Sequence, residues 1–182
     1  MGLLGGLFKK AKHKGYFEIE ISSISRLTKN AVKVSFDIPE KLTQKFNYIP
    51  GQYINILTEI EGKDERRSYS ICSAKDEQLA IGIKSIEKGI VSNWFNQEAR
   101  EGTKLFISEP QGNFKIPNGA KNIANIVAGS GVTPILSILK SNPRAESMQL
   151  LYGNRSKEET MFLEEIKAVS YTHLRAHETL DN

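Results

Sequence analysis

Between residues 17 and 86, apolar and polar side chains alternate in five short runs. They are FEIEISSIS (17–25), AVKVSFDI (31–38), QYINILTEI (52–60), RRSYSIC (66–72) and QLAIGIKSI (78–86). A period of two sets one side of an extended segment against a core and the other toward water, so each run predicts a β-strand. Turn-forming residues separate the runs: Thr28-Lys29-Asn30, Tyr48-Ile49-Pro50-Gly51, Glu61-Gly62-Lys63-Asp64 and Lys75-Asp76-Glu77. No helical period lies between them, which predicts an antiparallel barrel or sandwich. The first helix is predicted over VSNWFNQEA (91–99), with Trp94 and Phe95 inward. KLFISEP (104–110) supplies a further strand, and the barrel is expected to close near Ile116-Pro117.

After Asn118-Gly119 the pattern changes. NIANIVAG (122–129) is a nearly continuous apolar strand, as at the buried centre of a parallel sheet. GSGVTP (129–134) leads into a helix, ILSILK (135–140), and MQLLYGN (148–154) is a second strand. KEETMFLEEIKA (157–168) is predicted to be one helix with Met161, Phe162 and Ile166 on one side. This β-α-β-α order opens a doubly wound sheet and stops after two units. The expected organisation is a leader over 1–15, a barrel domain over 16–117, the start of an α/β domain over 118–168, and a tail over 169–182. A sheet cut short in this way should expose apolar sheet edges and helix faces that missing strands would cover, and be poorly soluble.

Composition narrows the class. The 182 residues are 39% hydrophobic and 25% charged, with no run of the roughly 18 apolar residues that a membrane span needs. The net charge is +4, and Lys9, Lys10, Lys12 and Lys14 of the leader supply four positive charges. The body is then near neutral, which argues against nucleic acid as a partner. The leader reads as a solvated segment, with a membrane-surface helix through Leu3, Leu4, Leu7 and Phe8 as the alternative. A single cysteine, Cys72, excludes an internal disulfide framework and any all-cysteine metal site, and fits a reducing cytoplasm.

Four stretches carry chemistry. In RRSYS (66–70), Arg67 and Tyr69 share one face of a strand and Ser68 and Ser70 the other. Such a run can lay a guanidinium on phosphate and a ring on a flat heterocycle. On its residues alone it is equally a barrel strand with outward polar groups. Gly89 and Ser92 open the helix of KGIVSNWF (88–95), where backbone N–H groups and a hydroxyl form an anion site or a simple N-cap. In GSGVTP, Gly129 and Gly131 allow a tight turn after the strand, Thr133 can cap, and Pro134 suits the first helical position. Pro134 also occupies the third-glycine position of the dinucleotide fingerprint, so that fingerprint is not met. In LLYGNRSKEE (150–159), Arg155 and Lys157 precede Glu158 and Glu159, a balance that leans toward a 2′-phosphate and hence NADPH.

Taken together and in this order, these elements resemble the ferredoxin–NADP⁺ reductase-type flavoprotein family, from about Phe17 to Ile166. The resemblance implies a Greek-key FAD-binding barrel followed by an NAD(P)-binding α/β domain. It implies that Arg67-Ser68-Tyr69-Ser70 holds the flavin, with Arg67 on the pyrophosphate, Tyr69 stacked on the ring and Ser70 near its reactive nitrogen. The PGQY segment (50–53) and the Gly89/Ser92 helix start also match, the latter as a pyrophosphate contact. GSGVTP matches the nicotinamide-nucleotide turn, with Thr133 close to both cofactors. The implied reaction carries a hydride from NAD(P)H to FAD and then single electrons to an iron–sulfur centre, a ferredoxin-like domain or an oxygenase component. Relatives continue into a [2Fe–2S] domain with four cysteines, and none of it is present here. The alternative is a flavin-binding electron-transfer module that does not oxidise NAD(P)H itself. The chain as it stands is expected to bind FAD and to oxidise NADPH negligibly.

VSYTHLRAHETLDN (169–182) holds His173 and His177, spaced so that a helix would place them on one face as a metal pair. The string resembles, codon by codon through Glu178, the translation of a transposase-type sequencing adapter. The expectation is therefore a non-native tail with no metal site.

Overall fold

A computed structural model of the chain describes residues 13–117, 119–141 and 146–177, with side chains up to Val169. Most of the leader (1–12) and the end of the tail (178–182) lie outside the described residues. The first unit is a six-stranded antiparallel sheet in the order β4-β3-β6-β1-β2-β5. Its strands are β1 (Tyr16–Thr28), β2 (Ala31–Asp37), β3 (Tyr53–Ile60), β4 (Lys63–Ser70), β5 (Ala80–Lys84) and β6 (Lys104–Ser108). Helix α1 (Ile90–Gln97) lies between β5 and β6.

Strand β1 serves two neighbours. Residues Tyr16 to Glu20 pair with β6, and the remainder pairs with β2. Register shifts at Ile21/Ser23 and Arg26/Thr28 bend it between the two partners, as bulges do where a sheet must curl. The β3–β4 hairpin turns on Glu61 (φ 50°) and Gly62 (φ 74°), both left-handed, which matches the right-handed twist of the strands it joins. The outer strands β4 and β5 then meet through an Ile71–Ile81 bridge and a Cys72 N–H to Ala80 carbonyl bond of 2.9 Å. The sheet thus closes into a barrel. The alternating runs face inward as expected: Ile19, Ile21, Val34, Phe36, Ile54, Ile56, Ile81, Ile83 and Ile107 fill one core. Phe95 of α1 is fully buried there, whereas Trp94 is only half-buried against it.

The second unit is a parallel sheet in the order β7-β8-β9, with β7 (Asn122–Ala128), β8 (Ser147–Gly153) and β9 (Leu174–His177). Helices α2 (Val132–Ser141) and α3 (Leu163–His173) connect them. Two expectations need correction. KEETMFLEEIKA is not one helix: Lys157–Glu159 form a 3₁₀ turn, Phe162 takes φ 60°, and α3 begins only at Leu163. The break lets Met161, Phe162 and Ile166 all reach the core, as their apolar pattern required. NIANIVAG is covered on one side only, and Ile126 is 80% exposed, because no described element lies over that face. Finally, His173 ends α3 and His177 ends β9, so they do not share one helical face.

The units share an interface. Ala31, Cys72 and Ala80 of the barrel belong to the same buried cluster as Val132, Leu136, Met161 and Phe162. The Ser137 hydroxyl, fully buried in α2, donates to the Ser73 carbonyl at 2.7 Å. Lys140 of α2 pairs with Glu77 of the barrel at 3.0 Å and with Glu165 of α3, and Glu165 also accepts from Lys33 of β2 at 3.1 Å.

Candidate functional site

RRSYS forms the last turn-to-closure stretch of β4, opposite Tyr53 to Leu57 of β3. The alternation places its side chains as read. Ser68 points outward, donating to Asn55 Oδ1 at 2.6 Å, in a network continued from Asn55 to Ser108 and Gln111. Tyr69 points the other way, half-buried, its ring edge-on to Phe95 at 6.0 Å. Burial pushes its hydroxyl up to about 12, against the smaller opposing effect of Arg67. Arg67 is half exposed, held at 3.3 Å by Glu65 and by the Arg66 carbonyl at 2.6 Å. A half-exposed guanidinium held through Nη1 alone, two residues from a half-buried ring on the same strand, suits a phosphate-bearing aromatic ligand. Ser70 is half-buried opposite Tyr53.

Helix α1 stands next to this strand. Arg26 fixes its end with two bonds to Asn96 (3.0 and 2.8 Å), and Asn93 bonds Ser85. Gly89 is its N-cap and makes no side-chain cap bond, so the first backbone N–H groups of the helix are not capped by a side chain. A Cβ on Gly89 would run into Ser92 Oγ and the Ile86 side chain. Ser92 is buried, and its hydroxyl faces the Ile86 N–H at 3.4 Å, inside the turn.

A second region opens where the two units meet. A cleft of about 1210 Å³ lies between Lys84, Ser85 and Ile86 on the barrel side and Gly129, Ser130, Asn154 and Arg155 at the carboxyl ends of β7 and β8. This is the position at which open α/β sheets bind ligands. Gly129 takes φ 50°, and a Cβ on Gly129 or Gly131 would meet only open space, so the bare backbone of the turn is accessible. Thr133 and Pro134 depart from the expected capping roles. Gly129–Gly131 form a 3₁₀ turn and α2 starts at Val132, so Pro134 is the third helical residue, where its missing N–H is still harmless. Thr133 is buried and its hydroxyl donates back to the Ser130 carbonyl at 2.9 Å.

The structure brings Gly129 and Arg155 together in the cleft. Strand β5 links the cleft to strand β4, because β5 both bridges to Ile71, next to Ser70, and carries Lys84. Several residues had not been singled out. Lys84 pairs with Glu159 across the cleft at 3.0 Å, and Asn154 Oδ1 is buried without a hydrogen-bond partner. Gly82, a glycine inside a strand, was a signal of close approach that could have been read. Cys72 is fully buried and burial pushes its thiol up to about 12, as befits an inert core residue. Among the described residues no cluster of three or more His, Cys, Asp or Glu could hold a metal, and no helix is long and apolar enough to cross a membrane.

An antiparallel barrel packed against the opening of a parallel α/β sheet is a fold shared with solved reductases. It matches a ferredoxin–NADP⁺ reductase from Neisseria gonorrhoeae solved with bound FAD and NADP (TM-score 0.79, 21% identity, 91% of this chain and 68% of that one). It also matches phthalate dioxygenase reductase, described as transferring electrons from pyridine nucleotides to [2Fe–2S] (TM-score 0.76, 24% identity, 94% and 54%). The chain belongs to the oxidoreductase FAD-binding domain family, whose model matches residues 18–116. In sequence it is 30% identical to a component of the 1,2-phenylacetyl-CoA epoxidase of Escherichia coli K12, over 81% of this chain and 43% of that protein. It is 32% identical to the ferredoxin reductase component of 3-ketosteroid-9-alpha-monooxygenase from Mycobacterium tuberculosis, over 80% and 44%. The chain spans less than half the length of these curated relatives.

Proposed function

We propose that the chain is the FAD-binding portion, with the opening of the nucleotide-binding portion, of an NAD(P)H-dependent reductase that delivers electrons to an iron–sulfur centre or an oxygenase component. One observation carries the reading: β5 joins the strand bearing Arg67 and Tyr69 to a cleft whose far wall is the bare Gly129–Gly131 turn. The residues fit both ligands. Arg67 and the uncapped start of α1 at Gly89 offer donors to a pyrophosphate, and Tyr69 offers a ring braced by Phe95. Asn154 lines the cleft beside Arg155. FAD, when bound, supplies the exchange between a two-electron donor and one-electron acceptors. The protein's own part is to hold the two ligands in register and to keep water from between them.

NADPH is the favoured donor in this proposal, because Arg155 faces the cleft and forms no ion pair with a described residue, whereas Lys84 is already paired with Glu159. The same reading sets the domain limits at 16–117 and 118–168. It places the protein in the cytoplasm, with Cys72 as a free buried thiol. Reconstitution with FAD is expected to give a yellow protein. Arg67→Ala and Tyr69→Ala should each lower FAD affinity by about tenfold or more. Unchanged flavin occupancy in both variants would refute the assignment.

A further inference from the structure

Strand β5 serves two cores. Ile81 and Ile83 enter the barrel, while Ala80 lies in the cluster shared with α2 and the residues around Phe162. At Gly82 the second unit comes against the barrel without an intervening side chain. A Cβ placed there would stand 2.7 Å from Phe162 Cζ and 2.8 Å from Thr133 Cγ2, where ordinary contact begins at 3.4 Å. Gly82 is not among the residues of positive φ, so space and not backbone conformation calls for glycine.

The opposing residue is unusual too. Phe162 has φ 60°, a conformation that bulky residues rarely adopt and keep only where their surroundings over-determine it. That turn separates the 3₁₀ turn carrying Glu159 from α3. Both walls of the cleft are tied to this contact. Lys84 follows Gly82 by two residues on the same side of β5, and Ser130 and Thr133 are joined by the hydroxyl-to-carbonyl bond at the start of α2.

We propose that Gly82 is a positioning residue: its bare Cα lets Thr133 and Phe162 rest on β5, and this contact sets the spacing between the Lys84 wall and the Gly129–Arg155 wall of the cleft. The functional consequence rests on the cleft being the nucleotide site; the spacing itself does not. Any side chain at 82 moves α2 off β5 and pulls the two bound rings out of register, while the flavin strand β4 is left as it was.

The test uses the whole chain with Gly82→Ala and with Gly82→Ala/Thr133→Ser, in which the methyl facing position 82 is removed and the hydroxyl that bonds Ser130 is kept. Crystal structures report the spacing. The visible spectrum reports the flavin, and its perturbation on titration with NADP⁺ reports the register. Gly82→Ala should keep its flavin spectrum, show the start of α2 displaced from β5 by about 0.6 Å, and bind NADP⁺ about tenfold or more weakly. The double variant should recover most of both. If Gly82→Ala does not accumulate folded, the double variant must fold with α2 seated as in the parent. An unmoved α2 in Gly82→Ala, or a double variant that recovers neither readout, overturns the proposal. A parent chain that ignores NADP⁺ while Gly82→Ala still displaces α2 removes the functional consequence in this chain and leaves the positioning role standing.

Discussion

The barrel and the α/β unit bury their apolar residues in different ways. In the barrel, β4 and β5 meet at Ile71–Ile81, and Phe36, Ile54 and Ile107 inside are fully covered. In the α/β unit only one face of the sheet is covered, and the paired Ile126 and Leu151 on the other face are 80% and 40% exposed. The buried face of that unit is completed partly by barrel residues, Ala31, Cys72 and Ala80. The difference is one of dependence: the barrel closes on itself, and the second unit is held by leaning on it.

Core truncations put that dependence to the strongest test. Phe36→Ala should cost about 3–5 kcal/mol and remove flavin absorbance and interface together. Leu136→Ala, fully buried in α2, should cost about 2–5 kcal/mol yet leave the flavin bound. Denaturant titrations followed by flavin absorbance and by far-ultraviolet dichroism separate the two. Simultaneous loss of both signals in Leu136→Ala would show that the units unfold as one.

A smaller effect is expected at the ionic clasp of Lys33, Glu77, Lys140 and Glu165. Burial alone would raise the Glu77 carboxyl, but bonds from the Ala74 N–H and from Lys140 outweigh it and hold it below 4.5. Burial alone would lower Lys140, but Glu165 and Glu77 carry it above 10.5. A depressed carboxylate stabilises above its unfolded value and loses that contribution as pH falls through its folded value. A raised ammonium stabilises below its unfolded value and loses its contribution as pH rises through its folded one. The clasp therefore acts between these limits. Lys140→Met should cost about 1–3 kcal/mol near neutral pH and flatten the acid limb of the melting profile. A melting profile parallel to the parent at every pH would dismiss the clasp.

The smallest effect belongs to the bare face. Ile126→Thr should change stability by no more than about 0.5 kcal/mol while reducing self-association, measured by sedimentation. A large loss of stability would mean that this face is already engaged.

The barrel was legible because alternation is a direct record of which side of a strand is buried, and Glu61-Gly62 can hardly be anything but a hairpin turn. Strand β4 was legible for the same reason: Ser68 and Tyr69 point where their parity puts them. Reading failed where burial depends on what else is present. NIANIVAG looks buried on both sides, but one side lacks a cover. The break before Leu163 was hidden because Met161, Phe162 and Ile166 keep a helical spacing that the chain satisfies with a 3₁₀ turn and one left-handed residue. Lys84 and Glu159 are far apart in sequence, and nothing local announces their meeting.

The loop at 73–74 is held from both units: the Tyr48 hydroxyl donates to the Ala74 carbonyl at 2.6 Å, and the Ser137 hydroxyl donates to the Ser73 carbonyl at 2.7 Å. Two successive carbonyls of one loop are thereby spoken for by different halves of the molecule. A fluctuation that frees the loop at 73 must release both donors at once. Amide hydrogens on either side of the boundary, such as those of Cys72 and the middle of α2, should then exchange with solvent through a shared opening, at similar rates, however different the stabilities of the units that contain them.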